Sequence, residues 1–151
     1  MSYLNVITLA EAKNHLRIDE DFTEDDAAIE RMIISSLQLI ETNTNHIMYQ
    51  QQKTYYKSVG SDRIVVYDYP INDYDTSVIA LHYSLRHEFK ADKITLDVGY
   101  TSKDKVPSTL IEVAMMIIDG MYYEHEKEGS AGEIPEMAKR MMFNYRRCIV
   151  S

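Results

Sequence analysis

The chain has 151 residues, of which 45% are hydrophobic, 26% charged and 10% aromatic, with a formal net charge of -8. That length fits one domain with a real core, and the composition excludes global disorder. A single cysteine, Cys148, excludes an internal disulfide framework and a Cys-rich zinc site, and the net acidity argues against a general nucleic-acid coat.

From the N-terminus, Met1 to Asn5 lacks the basic and apolar regions of a signal peptide, so a soluble protein of a reducing compartment is expected. Thr8-Leu9-Ala10-Glu11 reads as a capping box, in which the Thr8 hydroxyl and the Glu11 carboxylate each satisfy an orphan amide. A short helix follows from Leu9 to Leu16, with Leu9, Ala12 and Leu16 on one face. The acidic stretch Asp19–Asp26 breaks it, and Thr23 or Asp21 is the expected cap of a longer helix. Ile29, Met32, Ile33, Ser36, Leu37 and Ile40 keep the helical spacing, which should end at Asn43 or Asn45 in a left-handed cap.

The middle changes period. Lys53–Val59 and Arg63–Tyr67 are rich in β-branched and aromatic residues, with Gly60-Ser61-Asp62 as a turn between them. Asp68–Thr76 carries Pro70 and Asn72 and reads as a loop. Val78–Tyr83 is a third strand. Ile94, Leu96, Val98 and Tyr100 alternate with polar or small residues, the period of a half-buried strand. Thr101–Lys105 reads as a polar turn.

Pro107 then opens the most apolar helix, Ser108–Lys127. Leu110, Ile111, Ala114, Ile117, Ile118 and Met121 form its inner face, and Val113, Met115, Met116, Tyr122 and Tyr123 widen the arc. Even here no apolar run approaches the roughly 20 residues of a membrane span, so no membrane contact is expected. Gly129 to Gly132 is a break. Pro135 opens a last helix, Pro135–Cys148, with Met137, Ala138, Met141, Met142 and Tyr145 as apolar contacts. The expected fold is α+β and mainly helical: a single domain over 1–151, helical at 1–50 and 106–151, with a small antiparallel sheet or hairpin region inserted at 51–105.

Charge is unevenly spread. Residues 1–30 hold eight acids against Lys13 and Arg17, whereas residues 136–151 hold Lys139, Arg140, Arg146 and Arg147 against Glu136. Two solvated faces explain this. So does a chain that meets copies of itself head to tail, or meets a charged partner.

Catalytic signals are few. The chain has no phosphate-cradling loop and no HExxH, GxSxG or CxxC motif. Asp19, Asp21, Thr23, Asp25 and Glu30 have the spacing of calcium ligands in an EF-hand loop. However, Glu24 stands where the sharp turn needs glycine, and Asp26 where an apolar residue is usual, so an interhelix linker with capping acids fits better. His125, between Glu124 and Glu126, has no partner histidine three or four residues away. His82 and His87 match no standard spacing, and Cys148 lacks a base. No catalytic residue, metal or cofactor is expected. A metal-dependent enzyme would need Asp19, Asp21 or His125 to converge with other ligands. Six of the nine Met lie between Met115 and Met142, suiting either an ordinary core or an adaptable interface.

The order of these features resembles the small head–tail connector proteins of tailed bacteriophages. The opening from Ile7 to Asp19 (ITLAEAKNHLRID) carries the resemblance first. Asp25-Asp26, the Ile29–Ile40 helix, Glu41-Thr42-Asn43, Tyr69-Pro70-Ile71, Val98-Gly99-Tyr100, Val106-Pro107 and Tyr122-Tyr123-Glu124 then follow in the family's order. The resemblance covers about residues 5–127, while the segment from Gly129 onward carries no family motif.

The resemblance implies a structural role without catalysis. Such proteins form a ring, commonly twelvefold, that docks under the portal protein and joins the DNA-filled capsid to the tail or to a stopper protein. DNA passes through the channel without sequence-specific binding. They can be monomers when free. The place implied is the head–tail junction of the virion, after assembly in the bacterial cytoplasm. On this reading Ile29, Met32, Ile33, Met115, Met116, Tyr122, Met141, Met142, Arg146 and Arg147 are candidates for subunit or portal contacts. Asp19, Asp21, Asp25 and Asp26 are candidates for facing the channel. The last helix, Pro135–Cys148, would dock on the portal or change conformation on assembly. The alternative is a small prophage regulatory or scaffolding module without catalytic activity.

Overall fold

The computed structural model describes residues 1–73, 79–82, 86–124 and 134–147, the side chains of 79–82 and 124 excepted. Three helices come first: α1 (Tyr3–Val6), α2 (Leu9–Leu16) and α3 (Asp26–Thr44). The four-residue α1 is too short for periodicity to announce. α2 has the expected bounds, and its capping box is formed: the Glu11 amide donates to Thr8 Oγ1 at 3.3 Å and the Thr8 amide to Glu11 Oε2 at 2.9 Å. α3 ends at Asn45 in the left-handed conformation, φ 59°. Its start corrects the expectation. Neither Thr23 nor Asp21 caps it. The residue before its first turn is Asp25, in helical geometry and without a side-chain capping bond.

Six short strands follow: β1 (Gln51–Tyr56), β2 (Ile64–Val66), β3 (Ile71–Asp73), β4 (Ile79–His82), β5 (His87–Phe89) and β6 (Lys93–Val98). They form two three-stranded antiparallel sheets, ordered β1-β6-β3 and β2-β5-β4. β1 and β2 therefore flank a turn but belong to different sheets. β1 instead pairs with β6, from Gln51 opposite Val98 to Tyr56 opposite Lys93. The expected loop 68–76 contains β3, and β5 escaped notice because His-Glu-Phe lacks β-branched residues. Ile64, Val66, Phe89, Leu96 and Val98 point inward and close with Ile47 into one small core.

A 3₁₀ turn (Lys103–Lys105) leads into α4 (Ser108–Glu124), and α5 (Glu136–Phe143) closes the described chain. Pro107 and Pro135 each stand just before the first helical residue. α5 stops at Phe143, well short of Cys148. Of its expected apolar contacts Ala138 and Met142 are buried, but Met137 is 59% exposed.

The main core lies between α3 and α4. Ile29, Ile33, Leu37 and Ile40 face Leu110, Val113, Ala114 and Ile118, all fully enclosed. Each of the Ile, Leu and Val side chains contributes roughly 1.5–3 kcal/mol by leaving water. Among the described residues no helix is long and apolar enough to cross a membrane.

The segment after α3 joins bundle and sheets. The Ile47 amide donates to the Tyr69 carbonyl at 2.8 Å, and the Tyr69 amide to the Asn45 carbonyl at 2.9 Å. The Tyr100 amide donates to the Ile47 carbonyl at 3.1 Å. Gly99, at φ 99°, passes so close to the Tyr49 carbonyl that a Cβ would stand 2.1 Å from its oxygen.

Candidate functional site

The helical unit carries two patches of opposite charge. In one, residues 19–25 link α2 to α3, and the loop is built around Lys13. This lysine lies on the apolar side of α2 and is 3% exposed. Its ammonium donates to the Glu20 carbonyl at 2.8 Å, the Phe22 carbonyl at 2.7 Å and Asp26 Oδ1 at 2.9 Å. All three N–H groups are thus used, and the charge is paired where burial would otherwise be costly. The cation enclosed by this acidic loop is a lysine of the same chain. The EF-hand-like spacing does not gather ligands: Asp19, Asp21 and Thr23 are exposed, Asp25 is bonded elsewhere, and Glu30 sits on α3. Among the described residues no three His, Cys, Asp or Glu are placed to hold a metal.

The loop is also tied to the end of α4. The Tyr122 hydroxyl donates to Asp25 Oδ2 at 2.8 Å, and the Tyr123 hydroxyl to the Leu16 carbonyl at 3.1 Å. Of the four aspartates expected to face a channel, Asp25 and Asp26 are therefore held by partners within the chain, while Asp19 and Asp21 are exposed. Glu20, Glu24 and the 40% exposed Phe22 share that surface.

The other patch is basic. Lys139, Arg140 and Arg146 lie on or after α5. Glu136 is 3.8 Å from Lys139 and 3.7 Å from Arg140. Phe143 is 67% exposed, with the Arg146 guanidinium 5.8 Å from its ring centre. Arg147 turns back over the Tyr69 ring at 4.2 Å, and its amide donates to the Thr44 carbonyl at 3.1 Å.

Beside Arg147 lies His46, 6% exposed among Tyr69, Tyr100 and Tyr145, with ring centres 5.1, 6.0 and 5.5 Å away. Its Nδ1 is 2.6 Å from the Tyr100 hydroxyl. Burial, then the Arg147 charge, push its pKa down to about 4. A neutral ring accepts the Tyr100 O–H at Nδ1 and bonds the Tyr145 main chain through its other nitrogen. Burial also pushes the Tyr100 hydroxyl above its usual range and the Arg147 guanidinium below its own. The cluster docks the segment after α5, through Tyr145 and Arg147, against Tyr69 and Tyr100.

The expected contact residues divide by burial. Ile29, Ile33 and Met142 are enclosed, at 0%, 0% and 2% exposure, and in this fold they pack the core rather than offer a surface. Met32, Met115, Met116, Tyr122 and Met141 pack partly against that core and keep some surface; Arg146 is exposed and Arg147 half-buried. His87 is buried in β5. His82 is described in its main chain alone, and His125 and Cys148 lie outside the described residues. Sequence reading missed Lys13. Its signal was a lysine between Ala12 and Leu16 on an apolar face, followed within thirteen residues by six acids.

A sequence model of the phage gp6-like head–tail connector proteins matches residues 6–149. Solved structures share the fold. A chain in the neck of an empty gene transfer agent particle computed with C6 symmetry has a TM-score of 0.71 at 17% identity, covering 97% of this chain and 92% of its own. A chain from the virion of a native gene transfer agent particle gives the same values. A chain from the neck of a native particle computed with C12 symmetry has a TM-score of 0.65 at 15% identity, covering 97% and 91%. No curated protein matches the chain.

Proposed function

The chain belongs to the phage gp6-like head–tail connector family, and we propose that it acts as one subunit of a ring joining a DNA-filled capsid to its tail. The match over residues 6–149 carries this reading, because it spans both helical segments and the sheets between them. The role is structural and contains no catalytic step. The similar neck structures were computed with C6 and C12 symmetry, which favours twelve copies. A portal protein on one side and a tail-side stopper on the other complete the junction, and DNA crosses the channel without base-specific contacts. The protein is made in the host cytoplasm and joins the ring at the portal. The half-buried methionines Met32, Met115 and Met116, with Tyr122 and Met141, supply adaptable apolar contact within the assembly.

The test is electron microscopy of particles from the encoding genome, with and without this gene. A ring of density beneath the portal in wild-type particles, missing after deletion together with tail joining, is the expected outcome. Filled heads that gain tails normally without the gene would remove the connector reading and favour a prophage regulatory or scaffolding module.

A further inference from the structure

We infer that neighbouring copies meet head to tail, the acidic α2–α3 loop of one copy receiving the basic face of α5 from the next. This rests on the ring reading above and names the contact that builds it.

The two patches lie on different elements of the bundle. The acidic loop enters the first turn of α3, where Tyr122 reaches Asp25. The segment after α5 ends at the last residue of α3, where the Arg147 amide bonds the Thr44 carbonyl. α3 has 19 residues, so at 1.5 Å rise per residue these points lie about 28 Å apart. Among the described residues no ion pair joins the loop acids to Lys139, Arg140 or Arg146, whose one acidic neighbour is Glu136.

Both patches have the same composition with opposite sign. The acidic one sets a 40% exposed Phe22 among Asp19, Glu20, Asp21 and Glu24; the basic one sets a 67% exposed Phe143 beside Arg140 and Arg146. An aromatic residue ringed by charge is a costly surface for an isolated subunit and a common anchor for a contact. Sign then fixes the symmetry. Loop against loop, or α5 against α5, brings like charges together, so a two-fold dimer through either patch is disfavoured. Loop against α5 is attractive, uses two different surfaces, and propagates from copy to copy until a ring closes. The loop is stiff enough to serve, because Lys13 holds the Glu20 and Phe22 carbonyls and Tyr122 holds the Asp25 carboxylate.

Two experiments test the contact. In the full chain with Cys148→Ser, Asp21→Cys and Arg146→Cys are introduced together, and particles from the complemented deletion strain are oxidised. The expected product is a ladder of this chain extending beyond the dimer, while either single cysteine gives no ladder. The second experiment reverses charge. Glu20→Lys with Asp21→Lys and Glu24→Lys in one variant, and Lys139→Glu with Arg140→Glu and Arg146→Glu in another, should each lower the yield of tailed particles by about 10-fold or more, with unchanged thermal unfolding. Co-expression of the two should restore tailed particles, because their patches again attract. Incorporation without a ladder, cross-linking of the Arg146→Cys variant to a different protein, or reversal in the loop that alters DNA release alone would overturn the contact. Absence of the wild-type chain from particles would instead overturn the connector reading, and this contact with it.

Discussion

The helical bundle and the sheet lobe hold themselves together differently. The bundle encloses eighteen apolar residues in one cluster, whereas the lobe encloses six among the described residues. The lobe makes up the difference with polar ties. Asp68 accepts from Lys53 at 2.8 Å and from the Tyr55 hydroxyl at 2.6 Å, and Glu88, 6% exposed, pairs with Arg63 at 2.9 Å and Arg86 at 2.8 Å. Short strands cannot bury enough apolar surface alone, so directional bonds fix their register. The bundle should therefore set the global stability, and the lobe should open first.

The strongest way to break this comparison is to cut both cores. Ile33→Ala removes a fully enclosed side chain between α3 and α4 and should cost about 3–4 kcal/mol in urea unfolding. Leu96→Ala, at 1% exposure in the lobe, should show mainly as early loss of hydrogen-exchange protection in β1 and β6, with α3 amides still protected. Parallel loss in both regions would make bundle and lobe one cooperative unit.

The next largest effect lies on the seam. Gly99→Ala forces a Cβ against the Tyr49 carbonyl carbon and oxygen, which belong to the backbone and cannot swing away, at a φ of 99° that alanine avoids. A loss of about 3 kcal/mol or more in thermal or urea unfolding is expected. A loss below about 1 kcal/mol would mean that the seam yields easily and that the lobe is more loosely joined than its main-chain bonds suggest.

Lys13→Met tests the acidic patch of the bundle. The change keeps an apolar stem but leaves the Glu20 and Phe22 carbonyls and Asp26 without their donor. Asp26 is 29% exposed, so water offsets part of the loss, and about 2–3 kcal/mol is expected. Limited proteolysis should then cut first between Asp19 and Asp25. A variant as resistant as wild type would show that α4, through Tyr122 and Tyr123, holds the loop without the lysine.

The same contrast explains what was legible in sequence. Long apolar periods gave α2, α3 and α4, and Asn45 marked a helix end by its chemistry. Three-residue strands such as β3 and β5 carry too few side chains for a period, and β1 finds its partner β6 some forty residues away, beyond a turn that suggested pairing with β2. At the candidate site the charge asymmetry was legible, but the fate of each charge was not. Asp25 is engaged by Tyr122, 97 residues later, and Asp26 by a lysine whose burial only the packed bundle reveals. Met137 could not be told from a core residue, because α5 buries only a narrow stripe against α4 and α3.

The smallest effect expected concerns His46, where bundle, lobe and chain end meet. Its folded pKa, about 4, lies below the ordinary 6.5 because the ring is buried and faces Arg147, with Tyr69, Tyr100 and Tyr145 packed around it. Between those two values the unfolded chain binds a proton that the folded chain refuses. Stability from this site is thus complete above pH 6.5 and is lost as pH falls toward 4, on the order of 2 kcal/mol in all. His46→Asn should be less stable than wild type at pH 7.5 and should close the gap at pH 4.5, as read from urea midpoints. The carboxylates titrate alike in both proteins, so their contribution cancels in the difference. A gap that stays constant with pH would place a protonated, or freely solvated, ring at the seam, and the docking of Arg147 onto Tyr69 would then need another support.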